Sequence, residues 1–177
     1  MKSAVVLLSI LILFACKSEN KNEKDTKIDR IVLATGGCNG RCTYQALDIN
    51  KSLKVNYFGG EFSKLEGDYH LTIKQLIWDT ICEKLNQMEI MECDSVYSRS
   101  LDDQTIELII YSGNNMKRIR GQEFSFPDEL RILFYEIIDL TKTMDLKKSK
   151  KSHQFPTSCQ KENDVIIEFI PPMPITE

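Results

Sequence analysis

The chain has 177 residues, with 23 Lys and Arg against 26 Asp and Glu and a formal net charge of −3. Both signs are mixed along its length, which excludes bulk electrostatic capture of nucleic acid, and no nucleic-acid partner is expected. Its cysteines stand at 16, 38, 42, 82, 93 and 159.

Lys2 supplies a positive start, Ala4 to Phe14 is apolar except for Ser9, and Ala15 then precedes Cys16. This is the anatomy of a secretory signal. The apolar run is too short to span a bilayer, which takes about 20 helical residues. Leu13-Phe14-Ala15-Cys16 resembles the lipobox of bacterial lipoproteins, with Phe14 standing where a small residue is usual. The resemblance implies that residues 1–15 are a signal peptide removed before Cys16 and that Cys16 carries the lipid. The mature protein would then be a lipid-anchored membrane protein of the bacterial cell envelope, facing the periplasm or the exterior. Each buried acyl methylene contributes about 0.8 kcal/mol, and two or more chains make a stable anchor. Residues 16–27 read as the lipidated cysteine and a charged tether, because Lys17 to Lys27 include no large apolar side chain. From Ile28 roughly 150 residues remain, enough for one hydrophobic core and too few for two.

Within that body, Ile28 to Thr35 is β-branched and reads as a largely buried first strand, ended by Gly36-Gly37. Tyr44 to Ile49 and Leu53 to Tyr57 form a candidate hairpin around Asn50-Lys51-Ser52, stopped by Gly59-Gly60. Tyr69, Leu71 and Ile73 alternate in a further short strand or an extended entry to a helix. Thr72-Ile73-Lys74-Gln75 has capping-box spacing, and Ile73, Leu76, Ile77, Ile81, Leu85 and Met88 share one face of that helix. Thr105 to Tyr111 is a strand, Ser112 to Asn115 a turn, and Met116 to Ile119 its return. Pro127 suits the first position of a second helix with Asp128 and Glu129 in its first turn. Leu130, Leu133, Phe134, Ile137, Ile138 and Met144 mark that helix's buried stripe.

Residues 28–146 thus form the expected domain. Residues 147–177 read as a lysine-rich linker, a last strand at Val165 to Ile170 and a proline-rich tail that cannot continue a sheet. Lys147-Lys148-Ser149-Lys150-Lys151 reads as a solvated stretch after a helix end, with anionic headgroups as the alternative contact. Hairpins dominate and helices are few, so the fold class is α+β, an antiparallel sheet covered by two helices in a single domain.

Cys38-Asn39-Gly40-Arg41-Cys42-Thr43-Tyr44 is the most distinctive stretch, two cysteines set around a glycine that can take positive φ. It resembles the motif of exported bacterial lipoproteins that carry a domain of unknown function, written C-x-G-x-C-P-x-Y and followed by a hairpin. Cys38, Gly40, Cys42 and Tyr44 fall at the motif spacing, and Tyr57, Gly59, Gly67-Asp68-Tyr69, Tyr97, Asp102 and Pro127 extend the resemblance to about Met144. Thr43 replaces the usual proline, and Asn50-Lys51-Ser52 the usual Asp-Gly turn. The family brings no known activity.

Three readings of Cys38 and Cys42 stand: a structural disulfide suited to an exported chain, a redox dithiol, or half of a metal site. The redox reading is weakened because C-x-x-C opening a helix is the usual signature, and strand-like residues follow here. The metal reading needs remote His70, His153 or Cys159 to complete a zinc set. With Cys16 assigned to lipid, an odd number of cysteines remains, so at least one thiol stays outside any internal bridge. Cys82 reads as a small buried residue on the first helix, whereas Cys93 and Cys159 lie in polar segments with bridges to each other or to Cys82 left open. His70 reads as exposed or hydrogen-bonded, His153 as solvated, and Asp102-Asp103 as acidic turn residues. No nucleophile elbow, H-E-x-x-H, P-loop or EF-hand loop occurs, and no catalytic residue, metal or cofactor is assigned. The expected function is a membrane-tethered, noncatalytic envelope module that binds another protein or a surface component. The alternative is a thiol-redox or metal-handling lipoprotein using Cys38 and Cys42.

Overall fold

The computed structural model describes residues 27–38, 40–98 and 103–159. Cys16, the signal peptide, most of the tether, Asp102, the strand expected at Val165 to Ile170 and the proline-rich tail lie outside the described residues.

Eight strands form one sheet in the order β5-β7-β6-β1-β2-β3-β4-β8. They are β1 (Arg30–Thr35), β2 (Gln45–Asn50), β3 (Lys54–Gly59), β4 (Gly67–Thr72), β5 (Val96–Tyr97), β6 (Thr105–Ser112), β7 (Asn115–Gln122) and β8 (Lys147–Lys148). Helix α1 (Gln75–Gln87) follows β4, and α2 (Asp128–Thr143) follows β7 through a 3₁₀ turn at Glu123–Ser125. The architecture is α+β, as expected, with a larger sheet.

β1 is central because it is apolar on both sides. Ile31 and Leu33 join Leu47, Ile49, Val55, Tyr57, Leu108 and Ile110 on one face, where α1 contributes Trp78, Ile81 and Leu85 and α2 contributes Leu130, Leu133, Phe134 and Ile137. Val32 and Ala34 point the other way and meet Ala46, Ile109, Phe155 and Cys159. A strand buried on both faces reads as a continuous apolar run, which is how β1 and β6 appear in the sequence.

Several local expectations change. The sheet is mixed, because β5 pairs parallel with β7, Val96 opposite Arg120 and Tyr97 opposite Gly121. That approach depends on Gly121, where a Cβ would lie 2.1 Å from the Tyr97 carbonyl oxygen. Gly67 to Thr72 is a full strand paired along β3, so Thr72 ends a strand and forms no capping box. The N-cap of α1 is Lys74, without a side-chain cap bond. Pro127 is the N-cap of α2, one place ahead of the expected position. Leu53 lies in the turn with φ 65°, where Asn50 Oδ1 accepts a bond from the Ser52 N–H at 3.1 Å. Lys147 and Lys148 are exposed, as solvated residues would be, yet their backbone pairs with His70 and Tyr69 as an edge strand.

Candidate functional site

Two places gather polar chemistry, one on each face of the sheet. On the face away from the helices, β2 and β6 each carry one carboxylate inside an apolar run, Asp48 at 2 % exposure and Glu107 at 1 %. An unpaired charge at such depth costs several kcal/mol, and both are paired. Arg30 reaches Asp48 twice, Nε to Oδ1 at 2.8 Å and Nη2 to Oδ2 at 2.7 Å, and His153 Nε2 lies 2.6 Å from Oδ2. The bonded carboxylate pushes the Arg30 guanidinium pKa up. Glu107 accepts from Arg118 Nη1 at 3.0 Å, from the Ser158 N–H at 3.0 Å, from Ser158 Oγ at 3.1 Å and from the Thr157 hydroxyl.

His153, Thr157 and Ser158 belong to residues 149–159, a strap laid across the sheet. The Ser149 N–H donates to the Asp68 carbonyl at 2.8 Å, and the His153 N–H donates to Asp68 Oδ1 at 3.2 Å. Phe155 and Cys159 are buried beneath the strap. Burial, and then the charge of Glu107, raises the Cys159 thiol pKa to about 11. Asp48 beside His153 has the outline of a general-base pair, but Arg30 already balances the carboxylate through both oxygens, and the arrangement acts as a clamp.

On the helix side, a cavity of about 280 Å³ opens between the ends of β2 and β3, the loop before β4 and the second half of α2. It adjoins the cysteine loop through Thr43, whose carbonyl accepts from the Thr35 hydroxyl at 2.6 Å and from Gln104 Nε2 at 2.7 Å. The sulfurs of Cys38 and Cys42 are bonded, at 1.99 Å, with Cα atoms 5.7 Å apart, well inside disulfide reach. Tyr44 N–H donates to the Glu61 carbonyl and its own carbonyl accepts from Gly60. Its hydroxyl crosses the bare Cα of Gly37, where a Cβ would approach to 2.1 Å. The loop is therefore braced at both ends. Gly40 is exposed and has only Cys38 Sγ near its missing Cβ, at 3.7 Å.

Gln45, Tyr57, Leu65 and Ile138 line the cavity, with Phe62, Lys64, Tyr135 and Lys142 contributing further walls. Burial pushes the Tyr57 hydroxyl pKa up. Tyr135 hydrogen-bonds Glu123, and burial followed by that contact raises its pKa also. Lys142 is paired with Asp139 at 2.7 Å. Phe62 holds a left-handed φ of 61°, a conformation that costs a non-glycine residue about 1–2 kcal/mol.

The other titratable residues scatter. His70 is exposed on β4. His153 is half-buried in the clamp rather than solvated. Cys82 is only partly buried against the helix-side core, Cys93 packs against that same core, and Cys159 lies on the opposite face. All three are thiols, so no bridge joins Cys93 or Cys159 to each other or to Cys82. Among the described residues no cluster of three or more His, Cys, Asp and Glu is placed to hold a metal ion, and no helix is long and apolar enough to cross a membrane. Asp48, Glu107, Arg30 and Arg118 were not singled out by the sequence. Their signal is a lone carboxylate at mid-strand in QALDIN and TIELIIYS.

Fold and site define an α+β domain with helices on one face of its sheet, a clamped strap on the other and a cavity beside a small disulfide loop. The chain belongs to the family described as Domain of unknown function (DUF6438), whose pattern matches residues 29–141. That span covers β1 through most of α2, with the cysteine loop and most of the cavity wall, and ends before the strap. No curated protein matches the chain.

Proposed function

We propose that the protein is a lipid-anchored lipoprotein of the bacterial envelope whose DUF6438 domain is a noncatalytic binding module. The membrane is its partner through Cys16, and an envelope protein or surface component is its partner through the domain. The observation that carries the binding reading is the cavity beside the Cys38–Cys42 loop. Its lining sets Tyr57, Phe62, Leu65 and Ile138 beside polar Gln45, Gln104 and Thr141, and polar groups converging on a recess are what fix a ligand's orientation. Thr35 and Gln104 fix the wall at Thr43 in advance of any ligand, which lowers the ordering cost of binding. The anchor rests on Leu13-Phe14-Ala15-Cys16 and the charged segment after it.

The test is the intact mass of protein purified from its own envelope, with and without reductant and alkylation. The expected species begins at an acylated Cys16 and keeps Cys38 joined to Cys42 under mild reductant. A mature chain without lipid overturns the anchor, and a readily reduced pair or a retained metal ion favours the thiol-redox or metal alternative. A reproducible hydrolytic or transfer activity of residues 28–177, abolished by one side-chain change, overturns the noncatalytic reading.

A further inference from the structure

We infer that the cavity beside the cysteine loop binds a small organic oxyanion, its carboxylate or phosphate group held by Lys64, Lys142 and the Gln45 amide and its apolar body lying against Tyr57, Leu65 and Ile138. This deepens the binding-module reading and rests on it. Three observations point to an anion. The residues lining the cavity include two lysines and no Asp or Glu. Lys64 has no ion-pair partner among the described residues, and Lys142 holds only the exposed pair with Asp139, a contact of small net worth that a ligand can displace. Gln45, 9 % exposed, lines the same cavity and offers its side-chain amide to an anion that the lysines attract.

The lysines carry most weight, because hydrogen bonds from an ammonium group to a carboxylate or phosphate are about twice as strong as neutral ones. Gln45 adds two side-chain N–H donors at the cavity wall, from which a ligand oxygen accepts. The body of the ligand meets a buried tyrosine ring and two aliphatic side chains, so a bare inorganic ion would leave that surface uncovered. At about 280 Å³ the cavity is at the small end for ligand sites, which limits the occupant to metabolite size.

The experiment uses the whole mature protein in detergent and three probes of nearly one shape: benzoate, phenyl phosphate and uncharged benzamide. Binding is followed by NMR titration of the protein's backbone and Gln side-chain amides. At least one anionic probe should shift the Gln45 side-chain signal and bind at least tenfold more tightly than benzamide. Lys64→Gln, an exposed change that the fold tolerates, should remove most of that preference, and Gln45→Leu should weaken the anion severalfold. Equal binding of benzamide and the anions, or an unchanged preference in Lys64→Gln, overturns the oxyanion assignment and leaves the binding module standing. If none of the three probes shifts any signal from the cavity wall, the oxyanion assignment falls, and the binding-module reading is left to its own test.

Discussion

Glu107 illustrates what a single buried charge does in this sheet. At 1 % exposure it is worth having only while every oxygen lone pair is engaged, and the strap supplies Thr157 and both groups of Ser158 for that purpose. In Glu107→Ala the strap loses its anchor over β6. The expected cost of about 1–3 kcal/mol for groups left unpaired corresponds to a roughly five- to 150-fold rise in local opening. Cys159 reports it. Buried, and with its thiol pKa raised to about 11, it should alkylate slowly with iodoacetamide at pH 8 in the parent and at least about fivefold faster in Glu107→Ala. Equal rates would mean that the strap is held elsewhere. The sign of the accompanying pH effect follows from the raised value. The folded thiol keeps its proton above the ordinary value of 9.0, so its contribution is complete below pH 9 and is lost as pH rises towards 11. These residues were only half legible in the sequence. The mid-strand carboxylates break an apolar run visibly, whereas His153 finds Asp48 across 105 positions, and no local pattern encodes that distance.

At the scale of elements, periodicity served well where one face is buried and poorly where pairing decides. Both helices and the long strands were legible from apolar spacing, because burial against one core imposes a period, but on α1 the expected Leu76 is exposed and Trp78 is buried in its place. β5 was not, since two residues with Val96 exposed carry no period. The expected capping box failed because Thr72 pairs with Lys54 in the sheet, and a ladder bond outweighs a cap. The C-terminus of α1 shows the opposite economy of local signals. Ile90 N–H bonds the Leu85 carbonyl at 3.1 Å and Glu89 N–H the Asn86 carbonyl at 2.9 Å, with Ile90 and Leu85 both buried. That is a Schellman ending, which favours glycine at the left-handed position, and here Glu89 occupies it with φ 48°. Glu89→Gly removes about 1–2 kcal/mol of strain and gives back roughly 0.5–1 kcal/mol in backbone entropy. The expected net gain, up to about 1 kcal/mol, is a rise of about 2–4 °C in Tm for a chain of this size. A calorimetric scan with an unchanged or lower Tm would show that the exposed Glu89 side chain contributes a contact of equal value.

For the whole molecule, the family match stops at residue 141, while the sheet's second face is covered by residues beyond it. Among the described residues Val32, Ala34, Ala46 and Ile109 have no helix above them, and their cover is Phe155 and Cys159. The expected domain end at 146 leaves that cover outside. A chain truncated after Leu146 loses the burial of Phe155, worth roughly 1.5–3 kcal/mol, and the strap's donors to Asp48 and Glu107. It should therefore unfold at clearly lower denaturant concentration than the chain ending at residue 159, and bind a hydrophobic dye that the longer chain excludes. Phe155→Ala in the longer chain should reproduce part of the loss. Denaturation midpoints that coincide for the two lengths would show that the strap is decoration on a self-sufficient fold. Because the cavity lies on the helix side, a truncated chain that still folds should keep its response to benzoate or phenyl phosphate. Loss of that response in a folded, truncated chain would instead mean that the two faces are coupled through β1 and β2, the strands they share.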